Sequence, residues 1–149
     1  MKLLENKTVV ITGASRGIGR GIALVLASHG ANIAFTYSKS VDSANELIEE
    51  MSEFDTNSKA YQSDAASFED SQKLVDQVIK DFGTIDVLIN NAGTNPYFGP
   101  ISKMPVDLYQ KTMDINVNSA IELSNLVYPH MKKQGGGSII HISSIEGLH

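Results

Sequence analysis

The sequence predicts an α/β protein, one doubly wound parallel sheet with helices on both faces. Three observations carry this expectation. Five short apolar runs alternate with segments whose apolar residues recur at helical spacing. The first run, Thr8–Ile11, is β-branched and leads into the first helix through a glycine-rich turn, Thr12-Gly13-Ala14-Ser15-Arg16-Gly17-Ile18-Gly19. Repeated strand–helix units of this length imply parallel strands joined by right-handed crossovers, which spread helices over both faces.

Taken in order, Ile18, Ile22, Val25 and Leu26 continue the turn as the apolar positions of a first helix. Asn32–Thr36 reads as strand two, after a turn at Gly30. Val41, Ala44, Leu47, Ile48, Met51 and Phe54 follow at helical spacing, with Ser40 placed to cap them. Lys59–Gln62 is a weaker strand three. Ser67 opens the third helix, with Asp70 three residues on as half of a capping box and Gly83 as its stop. Its apolar face is Phe68, Leu74, Val75, Val78, Ile79 and Phe82. Ile85–Ile89 is strand four, the most apolar of the set, which predicts a central place in the sheet.

The stretch Asn95–Pro105 holds three of the four prolines and reads as a loop with one short helical turn. A long helix is expected from Val106 to Lys132, carrying Leu108, Met113, Ile115, Val117, Ile121, Leu123, Leu126 and Val127. Gly135-Gly136-Gly137 ends it, and Ser138–Ile142 is strand five.

Composition narrows the function. A chain of 149 residues, 42% hydrophobic and 19% charged, suits one ordinary globular domain. Its net charge of −5, with scattered Lys and Arg, argues against a nucleic-acid surface and gives no reason to expect membrane binding. No cysteine is present, which excludes disulfides, thiolate zinc sites and cysteine nucleophiles. His29, His130, His141 and His149 show no metal-ligand spacing, so no metal site is expected. The first residues lack an apolar signal core and no later run reaches membrane-spanning length, so a cytoplasmic location is the expectation.

The glycine turn carries the chemistry. A strand feeding a helix through a turn poor in side chains points backbone N–H groups outward at the positive end of that helix, where a phosphate can sit. Gly13 permits the tight turn, Gly17 lets the backbone approach a pyrophosphate, and Gly19 lets the helix pack closely on the sheet. No Gly-Lys-Ser/Thr sequence accompanies it, so it is not a P-loop, and Ser15 lacks the Gly-x-Ser-x-Gly setting of a hydrolase nucleophile.

Four segments together resemble the signatures of the short-chain dehydrogenase/reductase family. They are Thr12-Gly13-x-x-x-Gly17-x-Gly19, Asn90-Asn91-Ala92-Gly93 after strand four, Asn116 in Asp114-Ile115-Asn116-Val117, and Ser143-Ser144-Ile145-Glu146-Gly147 after strand five. They stand in the family's order and span nearly the whole chain. Within the family the chain most resembles 3-oxoacyl-acyl-carrier-protein reductases and similar bacterial oxidoreductases.

The resemblance implies a Rossmann-type, NAD(P)-binding domain over residues 1–149, with strands one to five only, as the N-terminal portion of a longer domain. It implies hydride transfer between a nicotinamide and a carbonyl or alcohol, acyl thioesters among them. Ser144 would hydrogen-bond the substrate oxygen, while Asn116 would hold a kink in the long helix and a proton-relaying water; the plain alternative for Asn116 is an asparagine bonded locally within its helix. Gly13, Ser15, Arg16, Gly17, Ile18 and Gly19 would hold the cofactor at the turn, and Asn91, Ala92 and Gly93 would line it at the end of strand four. Asn90 is expected to bond backbone between strands. Asp64 and Ala65 match the family's adenine-contacting pair, with a bare surface turn as the alternative.

NAD enzymes of this fold place a carboxylate at the end of strand two for the ribose 2′-hydroxyl. Here that position is Thr36, followed by Tyr37-Ser38-Lys39 without an acid; Thr36, Tyr37 and Ser38 would contact the cofactor there, and Arg16 adds a cation on the same side. NADP(H) is the cofactor this predicts, with NAD(H) second. The same lack of an acid disfavours a nucleotide-binding methyltransferase.

The family's proton donor belongs to a Tyr-x-x-x-Lys pair after the serine segment. The literal match here, Tyr128-Pro129-His130-Met131-Lys132, precedes Ser144 and carries a helix-disturbing proline, so it does not serve. The 149-residue chain alone is therefore expected to be inactive, and a non-catalytic dinucleotide-binding module is the alternative reading. By resemblance, the long helix from Val106 pairs such enzymes into homo-oligomers.

Overall fold

The structure, a computed structural model, describes residues 2–145. Five strands form one parallel sheet in the order β3-β2-β1-β4-β5, with β1 at Thr8–Ile11, β2 at Asn32–Tyr37, β3 at Ser58–Gln62, β4 at Val87–Asn90 and β5 at Ser138–His141. Between them run α1 (Gly17–Ser28), α2 (Val41–Met51), α3 (Phe68–Phe82), α4 (Val106–Met113) and α5 (Ser119–Lys133), with one 3-10 turn at Ile101–Lys103 in the proline-rich loop. The expected doubly wound sheet is present.

The register sorts the core into two layers, because successive strand residues face opposite ways. Val9, Ile11, Ile33 and Phe35 pack with Ala23, Ala27, Ala44 and Leu47 of α1 and α2. Val10, Ala34 and Leu88 pack on the other face with Leu74, Val75 and Val78 of α3 and Leu123 and Val127 of α5. The chain winds from β1 out to β3, then crosses back to β4 on the far side of β1. That reversal leaves a crevice between the carboxyl ends of β1 and β4, where ligands bind in open sheets of this kind.

Strand β4 is interior, paired on one side with β1 and on the other with β5, as its apolarity predicts. Several expectations change in detail. Strand two extends through Tyr37, strand four begins at Val87, and strand five stops at His141. In α1 the large residues are not the buried ones. Gly19, Ala23 and Ala27 face the sheet, whereas Ile18 and Val25 are 68% and 57% exposed. Small residues let the helix axis approach the strands, and that closeness pushes the bulky ones to its flank.

The long helix is interrupted. Residues Asp114–Asn118 form a π turn between α4 and α5, which absorbs one extra residue and shifts the apolar face. Capping follows expectation at α3, where Ser67 Oγ accepts the Asp70 N–H at 3.2 Å and Gly83 ends the helix at φ +79°. At α2 it does not: the Ser40 hydroxyl donates to the Ser43 hydroxyl at 2.7 Å and caps no backbone N–H.

Candidate active site

The crevice is built by three short polar side chains. Thr12, just past β1, accepts the backbone N–H groups of Asn91 and Ala92 on one hydroxyl oxygen, at 3.0 and 2.9 Å. Asn91 returns the contact, its Nδ2 donating to the carbonyls of Thr12 and Gly13 at 2.9 and 3.1 Å. From the other side, Thr36 Oγ1 accepts the Gly13 N–H at 2.9 Å and the Thr36 carbonyl accepts the Ala14 N–H at 3.0 Å. Strands β2, β1 and β4 are thus stitched together at the edge where the glycine turn begins.

Two glycines are demanded by this packing. Gly13 has φ +64° and lies so close to Ala92 that an added Cβ would stand 3.0 Å from its Cα. At Gly19 an added Cβ would meet Asn91 Nδ2 at 2.5 Å and Ala14 Cα at 2.9 Å. Gly17, at φ +58°, is different: a Cβ there would have nothing within 4 Å. It opens α1, whose flanking residue Arg16 is extended and makes no side-chain cap. The first-turn N–H groups therefore face an open approach, as a pyrophosphate needs. The residues present fit the phosphates of a dinucleotide.

Around this turn, Arg16 and Ile18 are exposed and Ser15 is half-buried. Thr36 corrects an expectation. It is 5% exposed and its hydroxyl is committed to Gly13, so it holds the turn rather than facing a ribose. The end of β2 is instead presented by half-buried Tyr37 and exposed Ser38 and Lys39, with the Ser38 carbonyl held by Gln62 Nε2 at 3.1 Å. Asp64 closes its own turn: Oδ1 accepts the Ala66 N–H at 2.9 Å, and its N–H donates to Asp70 at 2.9 Å. Ala65 beside it is half-buried.

Asn116 lies within the π turn, and its amide bonds neither locally nor within its helix. Nδ2 donates to the Thr94 carbonyl at 2.8 Å and Oδ1 accepts the Thr94 N–H at 2.7 Å. This two-point clamp ties the loop after Asn91-Ala92-Gly93 to the long helix. Ser143 and Ser144 follow β5 and are exposed. They are carried to the same edge by the parallel pairing of β5 with β4, whose last bond is the Ile142 N–H to the Asn90 carbonyl at 2.9 Å. Gly147, the last residue of the serine segment, lies outside the described residues.

Asn90 corrects another expectation. Its main chain makes the inter-strand bond, but its side-chain amide contacts Ser124 and His141 rather than backbone. The contacts made by Thr12, Thr94, Ser124 and His141 were not read from the sequence. For Thr12 a signal existed, since a hydroxyl residue directly after a buried strand can accept N–H groups from the neighbouring strand. The others meet their partners only through tertiary packing. Tyr128 sits near the end of α5, at the opposite edge of the sheet from the glycine turn, because a helix between parallel strands runs antiparallel to them. Its exclusion from the site is thus a matter of topology.

A second polar cluster lies elsewhere, at the β3 edge. The Tyr61 hydroxyl donates to Asp81 at 2.7 Å, and Lys59 Nζ stands 3.2 Å from the same carboxylate. Burial, reinforced by the bond to Asp81, raises the Tyr61 hydroxyl far above its ordinary range. The bond from Tyr61, then that from Lys59, holds the Asp81 carboxyl below its own. These residues line a cleft of about 580 Å³ between α2, β3 and α3, which includes no residue of the glycine turn.

The profile of short-chain dehydrogenases matches residues 7–149, nearly the whole chain. The chain belongs to the short-chain dehydrogenase family. It is 38% identical over 149 residues to an L-rhamnose 1-dehydrogenase (NAD(P)(+)) of Sphingomonas sp., covering 99% of this chain and 58% of that protein. It is 37% identical to a 3-oxoacyl-[acyl-carrier-protein] reductase of Staphylococcus epidermidis, covering 95% of this chain and again 58% of the relative. Among solved structures, NAD+-bound xylitol dehydrogenase superposes with a TM-score of 0.93 at 32% identity, over 99% of this chain and 56% of that one. A short-chain dehydrogenase/reductase of Serratia marcescens gives 0.91 at 34%, over 98% and 58%. The chain thus spans little more than half the length of these relatives. No helix among its described residues is long and apolar enough to cross a membrane.

Proposed function

We propose that the full-length protein is an NADP(H)-dependent oxidoreductase that interconverts a small carbonyl and its alcohol. The observation that carries this is the uncapped start of α1, opened by Gly17 and locked against β4 by Thr12 and Asn91 at the reversal point of the sheet. When bound, the nicotinamide supplies or accepts the hydride. This chain's own residues bind and orient. The first-turn N–H groups of α1, with Gly13 and Ser15 through Gly19, hold the pyrophosphate, and Asn91, Ala92 and Gly93 border the nicotinamide half. Asp64 and Ala65 flank the adenine. Ser144 donates a hydrogen bond to the substrate oxygen as charge develops there. Asn116 keeps the π turn in place, where the proton-relay water binds.

The choice of NADP(H) is supported by the end of β2. Tyr37, Ser38 and Lys39 present no carboxylate that would repel a 2′-phosphate, and exposed Arg16 stands ready to pair with it. No Tyr-x-x-x-Lys pair follows Ser144 within these residues, so turnover is assayed on the full-length protein. Sugars and 3-oxoacyl thioesters, the substrates in the relatives' names, are the first classes to assay. Exposed apolar residues along α4, the π turn and α5, Val106, Tyr109, Val117, Ile121 and Tyr128, support pairing of two copies through that face. The protein works as a cytoplasmic enzyme in this reading.

Steady-state kinetics of the full-length protein with both cofactors is the test. The expected result is at least about tenfold higher kcat/KM with NADPH than with NADH, and loss of most of that ratio in Arg16→Ala. Equal use of both cofactors would overturn the preference. Binding without turnover would favour the non-catalytic module.

A further inference from the structure

Asn90 ends β4 and is 7% exposed. Its Nδ2 lies 3.3 Å from His141 Nδ1 and 3.4 Å from Ser124 Oγ, while Oδ1 is buried without a partner. The Ser124 hydroxyl spends its proton on the Ala120 carbonyl at 2.6 Å, so it meets Asn90 with a lone pair. The contact with His141 is equally one-sided. With its amide nitrogen toward His141, Asn90 donates, so the contact is a hydrogen bond when Nδ1 is bare and the imidazole proton sits on Nε2.

The place of this contact gives it consequences. His141 and Asn90 are paired in register, and the Asn90 carbonyl receives the next N–H of the other strand, from Ile142. One residue beyond Asn90 is Asn91, which grips Thr12 and Gly13. Three residues beyond His141 is Ser144. A continuous chain of bonds therefore links the serine segment, the end of β4 and the glycine turn.

We propose that His141 is a positioning residue, which acts as a neutral acceptor for the Asn90 amide and so sets the Asn91–Gly93 loop against the cofactor turn. It touches neither substrate nor cofactor. Its kinetic consequence rests on the oxidoreductase reading, but its tautomer does not. Because the imidazole is otherwise exposed, the effect is that of one hydrogen bond.

The test has two arms on the full-length protein. Nitrogen-15 NMR should find His141 Nδ1 unprotonated and Nε2 protonated, with the Nδ1 resonance moving in Asn90→Ala. In kinetics, His141→Ala should raise the cofactor KM about threefold to tenfold, the size of one lost hydrogen bond, with kcat within about twofold. His141→Asn, which offers a carbonyl oxygen to the same amide, should restore it. A proton on Nδ1 in the wild type, or equal KM increases in His141→Ala and His141→Asn, overturns the proposal. Should His141→Ala fail to fold, the wild-type tautomer and the Asn90→Ala shift decide. If no dinucleotide binds at all, the oxidoreductase reading falls, and the tautomer still settles whether His141 holds Asn90.

Discussion

The two flanks of α1 make an instructive contrast. On the side facing the sheet, Gly19, Ala23 and Ala27 leave so little room that an added methyl group at Gly19 would overlap Asn91 and Ala14. On the other side Ile18 and Val25, far larger and more apolar, are more than half exposed. Hydrophobicity did not choose the inner face. Closeness did, because only small side chains let the helix start end-on against β1 and β4 with its N–H groups aimed into the crevice. Burial of large residues stabilises the fold through the layers around Phe35, Leu47 and Val78.

The contrast is broken most severely from the inner flank. Gly19→Val would force a branched side chain into Asn91, and should cost about 3 kcal/mol or more and abolish dinucleotide binding. Urea denaturation and cofactor titration of the full-length protein read both effects. Retained affinity would show that the helix start can shift.

Thr12→Val comes next. It leaves the Asn91 and Ala92 N–H groups without their acceptor while keeping the side chain's shape, for an expected loss of about 2 kcal/mol. Cofactor affinity should fall with stability, since the same bonds hold the turn. A stability loss with unchanged affinity would separate the clamp from the site.

A smaller effect is expected at the β3 edge, and its size depends on pH. Asp81 titrates lower in the folded protein than when unfolded, so the stability it contributes is present above the ordinary carboxylate range and is lost as pH falls through its folded value. Asp81→Asn should therefore flatten the acid side of the stability–pH curve without touching cofactor affinity. For Tyr61 the direction is reversed. Its raised value stabilises the fold below the unfolded phenol's range, and that contribution is lost as pH rises toward its folded value. The smallest change is on the outer flank of α1. Ile18→Gln in the 149-residue chain should alter stability by no more than about 0.5 kcal/mol, the usual range for an exposed position.

Much of this was legible in advance. Alternating strand and helix patterns, the glycine turn, the Ser67 cap and the Gly83 stop follow from local rules about burial, φ and unsatisfied N–H groups, which need no knowledge of distant residues. The family could be named from four short segments for the same reason. Thr36 was assigned outward because a residue at a strand end can face either way, and only the approach of Gly13 turned it in. Asn116 could not be matched to Thr94, nor Asn90 to His141, because each pair is brought together by the sheet and the π turn across many residues.

The sequence by itself determined the layers of this protein, its parallel winding and the crevice edge where a dinucleotide would lie, since these follow from periodicity and chain handedness. Only the tertiary structure decided which hydroxyls and amides close that edge and which N–H groups stay open. A side chain's hydrogen-bond partner depends on distances of about an ångström between segments remote in the chain, and no local pattern encodes those.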